Sequence, residues 1–89
     1  MKDTEFKKLC LHFASEIKSA RLKARISQEA LALAAEVDRT YVSQLERGIA
    51  NPSLMILCRL AGALNLQLQI RLLPDQSEIT MQSTGNAVI

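Results

Sequence analysis

Residues 27–53 read SQEALALAAEVDRTYVSQLERGIANPS, a pattern that predicts two short helices, a loop and the start of a third helix. Ser27, Asp38 and Ser53 are N-cap candidates, because their side-chain oxygens can accept hydrogen bonds from unpaired backbone N–H groups. Gly48 is placed to end the second helix in the left-handed conformation, which glycine adopts at little cost. We therefore predict that the second helix has about nine residues.

The two faces of this second helix differ in character. Val42 and Leu45 share one face by helical spacing. The other face carries two guanidinium groups, two hydroxyls and an amide, contributed by Arg39, Thr40, Ser43, Gln44 and Arg47. Such groups read base edges and phosphates in a DNA major groove. The alternative is an ordinary solvated helix face.

The motifs SQEALA, DRTYVSQLERG and NPSL resemble the Xre and Cro family of helix-turn-helix repressors, over roughly residues 13–64. The resemblance implies a mainly α bundle of four to five helices, in which residues 28–35 position the recognition helix at residues 38–47. We predict that bases are read by Arg39 and Gln44, supported by Thr40 and Ser43.

The resemblance also implies contacts with the DNA phosphate backbone from Gln28, Arg47, Asn51 and Ser53. For Asn51 and Ser53, turn and cap chemistry is an equally good explanation. Tyr41 belongs to the tetrapeptide DRTY, which is similar to that of restriction-modification controller proteins, where this tyrosine contacts DNA. We expect a phosphate contact from the Tyr41 hydroxyl, with partial burial of the ring as the alternative.

Arg21 is expected to have a structural role. In the repressors that this chain resembles, an arginine at this position pairs with a glutamate in the last turn of the recognition helix. The resemblance therefore implies a buried ion pair between Arg21 and Glu46, and not a phosphate contact from Arg21.

The sequence departs from the family pattern after Leu64. Apolar and polar residues alternate over about residues 66–73, which predicts a half-buried β-strand. No second strand is evident, so we predict antiparallel pairing with the same strand of a second copy in a homodimer, as HipB-type antitoxin repressors are arranged. A frayed helix, or a strand that folds back on its own bundle, is the alternative. The dimerisation residues would be Leu66, Leu68, Ile70 and Leu72.

The rest of the chain is expected to add little chemistry. From Asp3 to Lys23 the apolar spacing predicts one long helix or two abutting ones, whose first ten or so residues cover the core or join a dimer interface. Cys10 and Cys58 are expected as buried free thiols, which suits the cytoplasm. Residues 1–73 would form the DNA-binding domain, and residues 74–89 a flexible tail.

Length and composition limit the possible functions. The chain has 89 residues and a hydrophobic fraction of 48%, which indicate one folded domain. Its formal charge is only +2, so any binding to nucleic acid would depend on individually placed contacts and not on a broad positive field. No phosphate loop, metal motif or catalytic set is evident, so we expect no enzyme activity, cofactor or metal. No run of residues is long and apolar enough for a membrane.

These observations predict a sequence-specific DNA-binding regulator that represses its own gene as a homodimer on palindromic double-stranded DNA. One alternative is an antitoxin-like module that neutralises a partner toxin, with DNA binding secondary. The other is a controller protein of a restriction-modification system.

Overall fold

A computed structural model of the chain describes residues 3–74, which form four α-helices. They are α1 Asp3–Lys23, α2 Gln28–Ala35, α3 Arg39–Glu46 and α4 Leu54–Ala63. The predicted mainly α fold is confirmed, and α1 is a single continuous helix of 21 residues. Helix α3 has eight residues, close to the predicted length.

Side-chain caps fix the starts of the three shorter helices. The Ser27 and Ser53 hydroxyls accept hydrogen bonds of 2.9 Å and 3.1 Å from the third residue beyond them. The Asp38 carboxylate accepts one of 2.9 Å from the backbone N–H of Thr40. All three predicted caps are therefore confirmed, and each supplies a partner that a helix end otherwise lacks.

The core lies where α2, α3 and α4 meet, with α1 packed across α3. Its fully buried large side chains come from all three short helices: Leu31, Val42, Leu45 and Leu60. The buried face of α2 is made by Leu31, Ala32 and Ala35. Ala34, although next to Ala35 in sequence, is exposed on the other side of α2.

Helix α1 buries a narrow stripe, namely Cys10, Ala14, Ile17 and Arg21. These residues follow one another at intervals of four, three and four, the spacing of one helix face. Phe6 and Leu9, which precede this stripe on the same helix, are exposed. Helix α4 similarly buries Leu57, Leu60 and Ala61, which leaves Cys58 exposed beside that face, contrary to prediction.

No β-strand forms among residues 3–74, so the predicted strand at residues 66–73 is not present in the single chain. A strand is stabilised by the ladder that it shares with a neighbour, and the described part of this chain contains no such neighbour. The backbone N–H of Leu66 instead bonds to the Ala61 carbonyl at 2.8 Å, which closes the end of α4. The predicted tail at residues 74–89 falls, apart from Pro74, outside the described residues. No helix in the described part of the chain could cross a membrane.

Candidate nucleic-acid interface

One face of helix α3 is buried in the core, and the opposite face is accessible to solvent. Its Val42 and Leu45 are 0% exposed, so the helix cannot rotate without losing core contacts. The predicted base-reading residues lie away from these two, with Arg39, Thr40 and Gln44 exposed and Ser43 half-buried. Arg47 follows directly at the C-cap and is also exposed. Arg39, Thr40, Ser43 and Gln44 of α3, together with Arg47 at its C-cap, therefore lie on the side of the helix away from the buried Val42 and Leu45.

A buried ion pair joins α1 to the last residue of α3. Arg21 Nε donates to Glu46 Oε2 at 2.7 Å and Arg21 Nη2 to Glu46 Oε1 at 3.0 Å, a two-pronged contact. Arg21 Nη1 also donates to the Ile26 carbonyl at 2.9 Å, and Gln28 Nε2 donates to Glu46 Oε1 at 3.0 Å. One carboxylate therefore ties together α1, the start of α2 and the end of α3.

The surroundings of Glu46 favour its charged form. The Glu46 side chain is 2% exposed and that of Arg21 11% exposed. Burial alone raises the pKa of the Glu46 carboxyl, but the hydrogen bonds from Arg21 and Gln28 and the charges of Arg21 and Lys18 outweigh it. The pKa of Glu46 therefore lies below its usual value. The hydrogen bond to Glu46 raises the pKa of Arg21, so both partners are charged at neutral pH.

The turn between α2 and α3 sets the angle between the two helices. Glu36 ends α2 in the left-handed conformation at φ +59°, and the backbone N–H of Val37 bonds to the Ala32 carbonyl at 2.9 Å. Arg59 Nη1 of α4 donates to the Glu36 carbonyl at 3.4 Å. Helix α4 is thereby connected to the turn that orients α3.

The remaining predicted phosphate contacts have mixed surroundings. Asn51 and Ser53 are exposed in the loop after α3, and the Ser53 hydroxyl also caps α4. The Gln28 amide is engaged by Glu46. Tyr41 is half-buried and packs against the core, where burial raises the pKa of its hydroxyl. Among residues 3–74 no cluster of side chains could hold a metal ion.

The sequence pattern of the helix-turn-helix family matches residues 17–70 of this chain, which include all of α2, α3 and α4. The chain belongs to the helix-turn-helix family. This match confirms the resemblance to Xre-type regulators, and with it a DNA-binding, non-enzymatic regulatory domain.

One relative of this helix-turn-helix chain is the control protein C.BamHI of Bacillus amyloliquefaciens. The two are 40% identical over 58 residues, which cover 64% of this chain and 72% of the relative. No solved structure is similar enough to match.

Three contacts that position the helix-turn-helix unit were not predicted from the sequence. They are the hydrogen bond from Gln28 to Glu46, the one from Arg59 to the Glu36 carbonyl, and the packing of Leu11 against Gly48. Gly48 has φ +77°, a conformation that glycine adopts at little cost, and a Cβ there would also meet the Cδ2 methyl at the end of the exposed Leu11 side chain. The glycine can be recognised in the sequence, but no neighbouring residue indicates that Leu11 packs against it.

Proposed function

We propose that this protein is a homodimeric, sequence-specific transcriptional regulator in the cytoplasm that represses its own gene. Each copy would place α3 in the major groove of one half of a palindromic operator. The observation that carries the proposal is the exposed face formed by α3 and its C-cap Arg47, which combines two arginines with hydroxyl and amide groups and contains no acidic residue. Half-sites would lie about 34 Å apart, one turn of the DNA.

Two kinds of contact are distinguished in this proposal. Arg39 and Gln44 read bases, since arginine can bond twice to guanine and glutamine twice to adenine, while Thr40 and Ser43 add single hydrogen bonds. Phosphates are bound from both sides of α3 by Gln28, Tyr41, Arg47, Asn51 and Ser53. For Gln28 the bond to Glu46 leaves a second amide hydrogen and the amide oxygen for other partners.

Arg39→Ala is expected to weaken binding to the operator by about 1–3 kcal/mol and to relax the sequence preference at one position of each half-site. Arg39 is exposed, so its truncation should leave the fold intact. The measurement is footprinting on the DNA upstream of the protein's own gene with excess nonspecific competitor. Titration of the purified variant then gives the affinity.

Arg25→Ala is the matched control for Arg39→Ala. Arg25 is also exposed but lies in the turn between α1 and α2, outside α3. The control should protect the same symmetric site as the wild type. Unchanged specific affinity in Arg39→Ala would remove Arg39 from the base-reading set, and no protected site for the wild type would count against autoregulation.

Residues 66–73 support the proposed dimer. Leu66 and Ile70 are exposed and Leu72 is 97% exposed, an unusual state for three apolar residues so close together. Within the described chain, residues 67–73 make no backbone hydrogen bond. A segment with alternating apolar side chains, and without backbone hydrogen bonds to the described part of its own chain, can pair as a strand with an identical segment across a twofold axis.

A proline in this segment should shift the dimer toward monomer. Neighbouring backbone N–H groups of a strand point to opposite edges, so Gln69→Pro and Ile70→Pro are made as a pair. At least one of them removes a hydrogen bond of the proposed ribbon. Sedimentation equilibrium measures the dissociation constant of each variant, with Gln69→Ala and Ile70→Ala as controls that keep the N–H. Full dimerisation of both proline variants would exclude the ribbon.

The control-protein relative favours the controller alternative over the antitoxin alternative. That relative is named for control and not for neutralising a partner. Purification of the full chain from its native host distinguishes the two roles. A protein that copurifies in fixed proportion would support the antitoxin role, and a homodimer without a partner would support the controller role.

A further inference from the structure

The first three turns of α1 pack beside the loop that follows the recognition helix. These residues, 3–13, precede the stretch that matches the family. Leu11 lies against Gly48, and Lys7 shares with Ile49 and Asn51 the lining of a surface depression of about 420 Å³. The start of α1 therefore holds a lysine next to a loop that carries a proposed phosphate contact.

That loop has no positive charge of its own. Residues 48–53 read GIANPS, and the nearest cations in the sequence are Arg47 before it and Arg59 within α4. Asn51 and Ser53 offer only neutral hydrogen-bond donors. A hydrogen bond with an ionised donor is roughly twice as strong as a neutral one, so a cation beside this loop would add substantially to phosphate binding.

Lys7 is available for this role. It is exposed, and within residues 3–74 it forms no ion pair, although Asp3 one helical turn earlier lines the same depression. Its neighbour Lys8 is also exposed but does not line the depression. The two lysines therefore have the same charge and nearly the same position in sequence, while only one faces the loop.

We propose that Lys7 binds a phosphate of the DNA backbone beside Asn51, so that the start of α1 supplies the cation that the loop after α3 lacks. This inference rests on the proposed function, because it requires that α3 lie in the major groove. A lysine ammonium on its flexible stem suits a phosphate, which is bound through charge and not through a fixed geometry.

The test compares the salt dependence of DNA binding for the wild type, Lys7→Gln, Lys7→Arg and the control Lys8→Gln. The DNA is a duplex that the wild-type full-length protein selects from a random-sequence pool. Each phosphate contact contributes about 0.9 to the slope of the logarithm of affinity against the logarithm of salt concentration. Lys7→Gln should lower the magnitude of that slope by about 0.9 per protomer, while Lys7→Arg and Lys8→Gln should keep it.

An unchanged slope in Lys7→Gln would overturn the inference. Equal decreases of the slope in Lys7→Gln and Lys8→Gln would also overturn it, because they would indicate a nonspecific electrostatic attraction and not a contact made by Lys7. In either case selection of a duplex by the wild type, and weaker binding by Arg39→Ala, would leave the proposed function intact. Failure of the wild type to select any duplex would overturn the proposed function together with this inference.

Discussion

Arg21→Ala is expected to lower the free energy of unfolding by roughly 3–5 kcal/mol in urea denaturation followed by circular dichroism. The truncation leaves the Glu46 carboxylate, 2% exposed, with only the Gln28 amide as a partner, and it also removes the donor to the Ile26 carbonyl. Such a loss is a large part of the stability of a small domain. DNA affinity per folded molecule should change much less.

Lys23→Ala is the control for Arg21→Ala, since Lys23 is an exposed cation two residues later on the same helix. It should change stability by less than about 0.5 kcal/mol. A double variant, Arg21→Met with Glu46→Leu, should be more stable than Arg21→Ala, because no buried charge is left unpaired. A loss below 1 kcal/mol in Arg21→Ala would mean that the pair behaves like a surface ion pair.

The same pair makes the effect of Arg21→Ala depend on pH. The pKa of Glu46 is lower in the folded protein than in the unfolded chain, where it is about 4.3. The stabilisation that ionised Glu46 contributes is therefore fully present above the pKa that Glu46 has in the unfolded chain. It is lost as pH falls through the lower pKa that Glu46 has in the folded protein. The difference in stability between wild type and Arg21→Ala should narrow below about pH 4.

Leu45→Ala is expected to cost roughly 2–5 kcal/mol of unfolding free energy. Leu45 is one of the four largest fully buried side chains and lies on the inner face of α3, so its truncation leaves a cavity where α3 meets the core. Urea denaturation again provides the measurement, and the slope of free energy against urea should stay constant if the variant is otherwise native.

Leu33→Ala is the matched control for Leu45→Ala. Leu33 is 81% exposed on α2, so the same atoms are removed without opening a cavity. We expect a change of less than about 0.5 kcal/mol in stability. Similar losses of unfolding free energy in Leu45→Ala and Leu33→Ala would contradict the orientation of α2 and α3, because only that orientation makes one leucine buried and the other exposed.

Local chemistry explains which parts of the fold could be predicted from the sequence. Ser27, Asp38 and Ser53 start helices through hydrogen bonds to residues two or three positions away, so the sequence window contains both partners. Gly48 likewise carries its own conformational signal. Glu36 adopts the left-handed conformation although it is not glycine, so its residue type did not predict this conformation.

The features that sequence alone could not give depend on contacts between distant residues. Gln28 meets Glu46 only after α2 and α3 have packed, and Arg59 reaches the turn only from α4. The rotation of α2 that exposes Ala34 is set by the core as a whole. For residues 66–73 the period-two pattern is present, but pairing requires a partner that the described single chain does not contain.

The residues of α3 that maintain the fold differ from those that are exposed for binding, and this difference has an evolutionary consequence. Val42, Leu45 and Glu46 are fixed by packing and by the buried pair, whereas the exposed side chains of Arg39, Thr40 and Gln44 form no hydrogen bond or ion pair within residues 3–74. Descendants of this gene could therefore acquire a new operator by changes on the outer face, one codon at a time, without an unstable intermediate. Positions 21 and 46 have no such freedom, and any lineage that replaces one must soon replace the other.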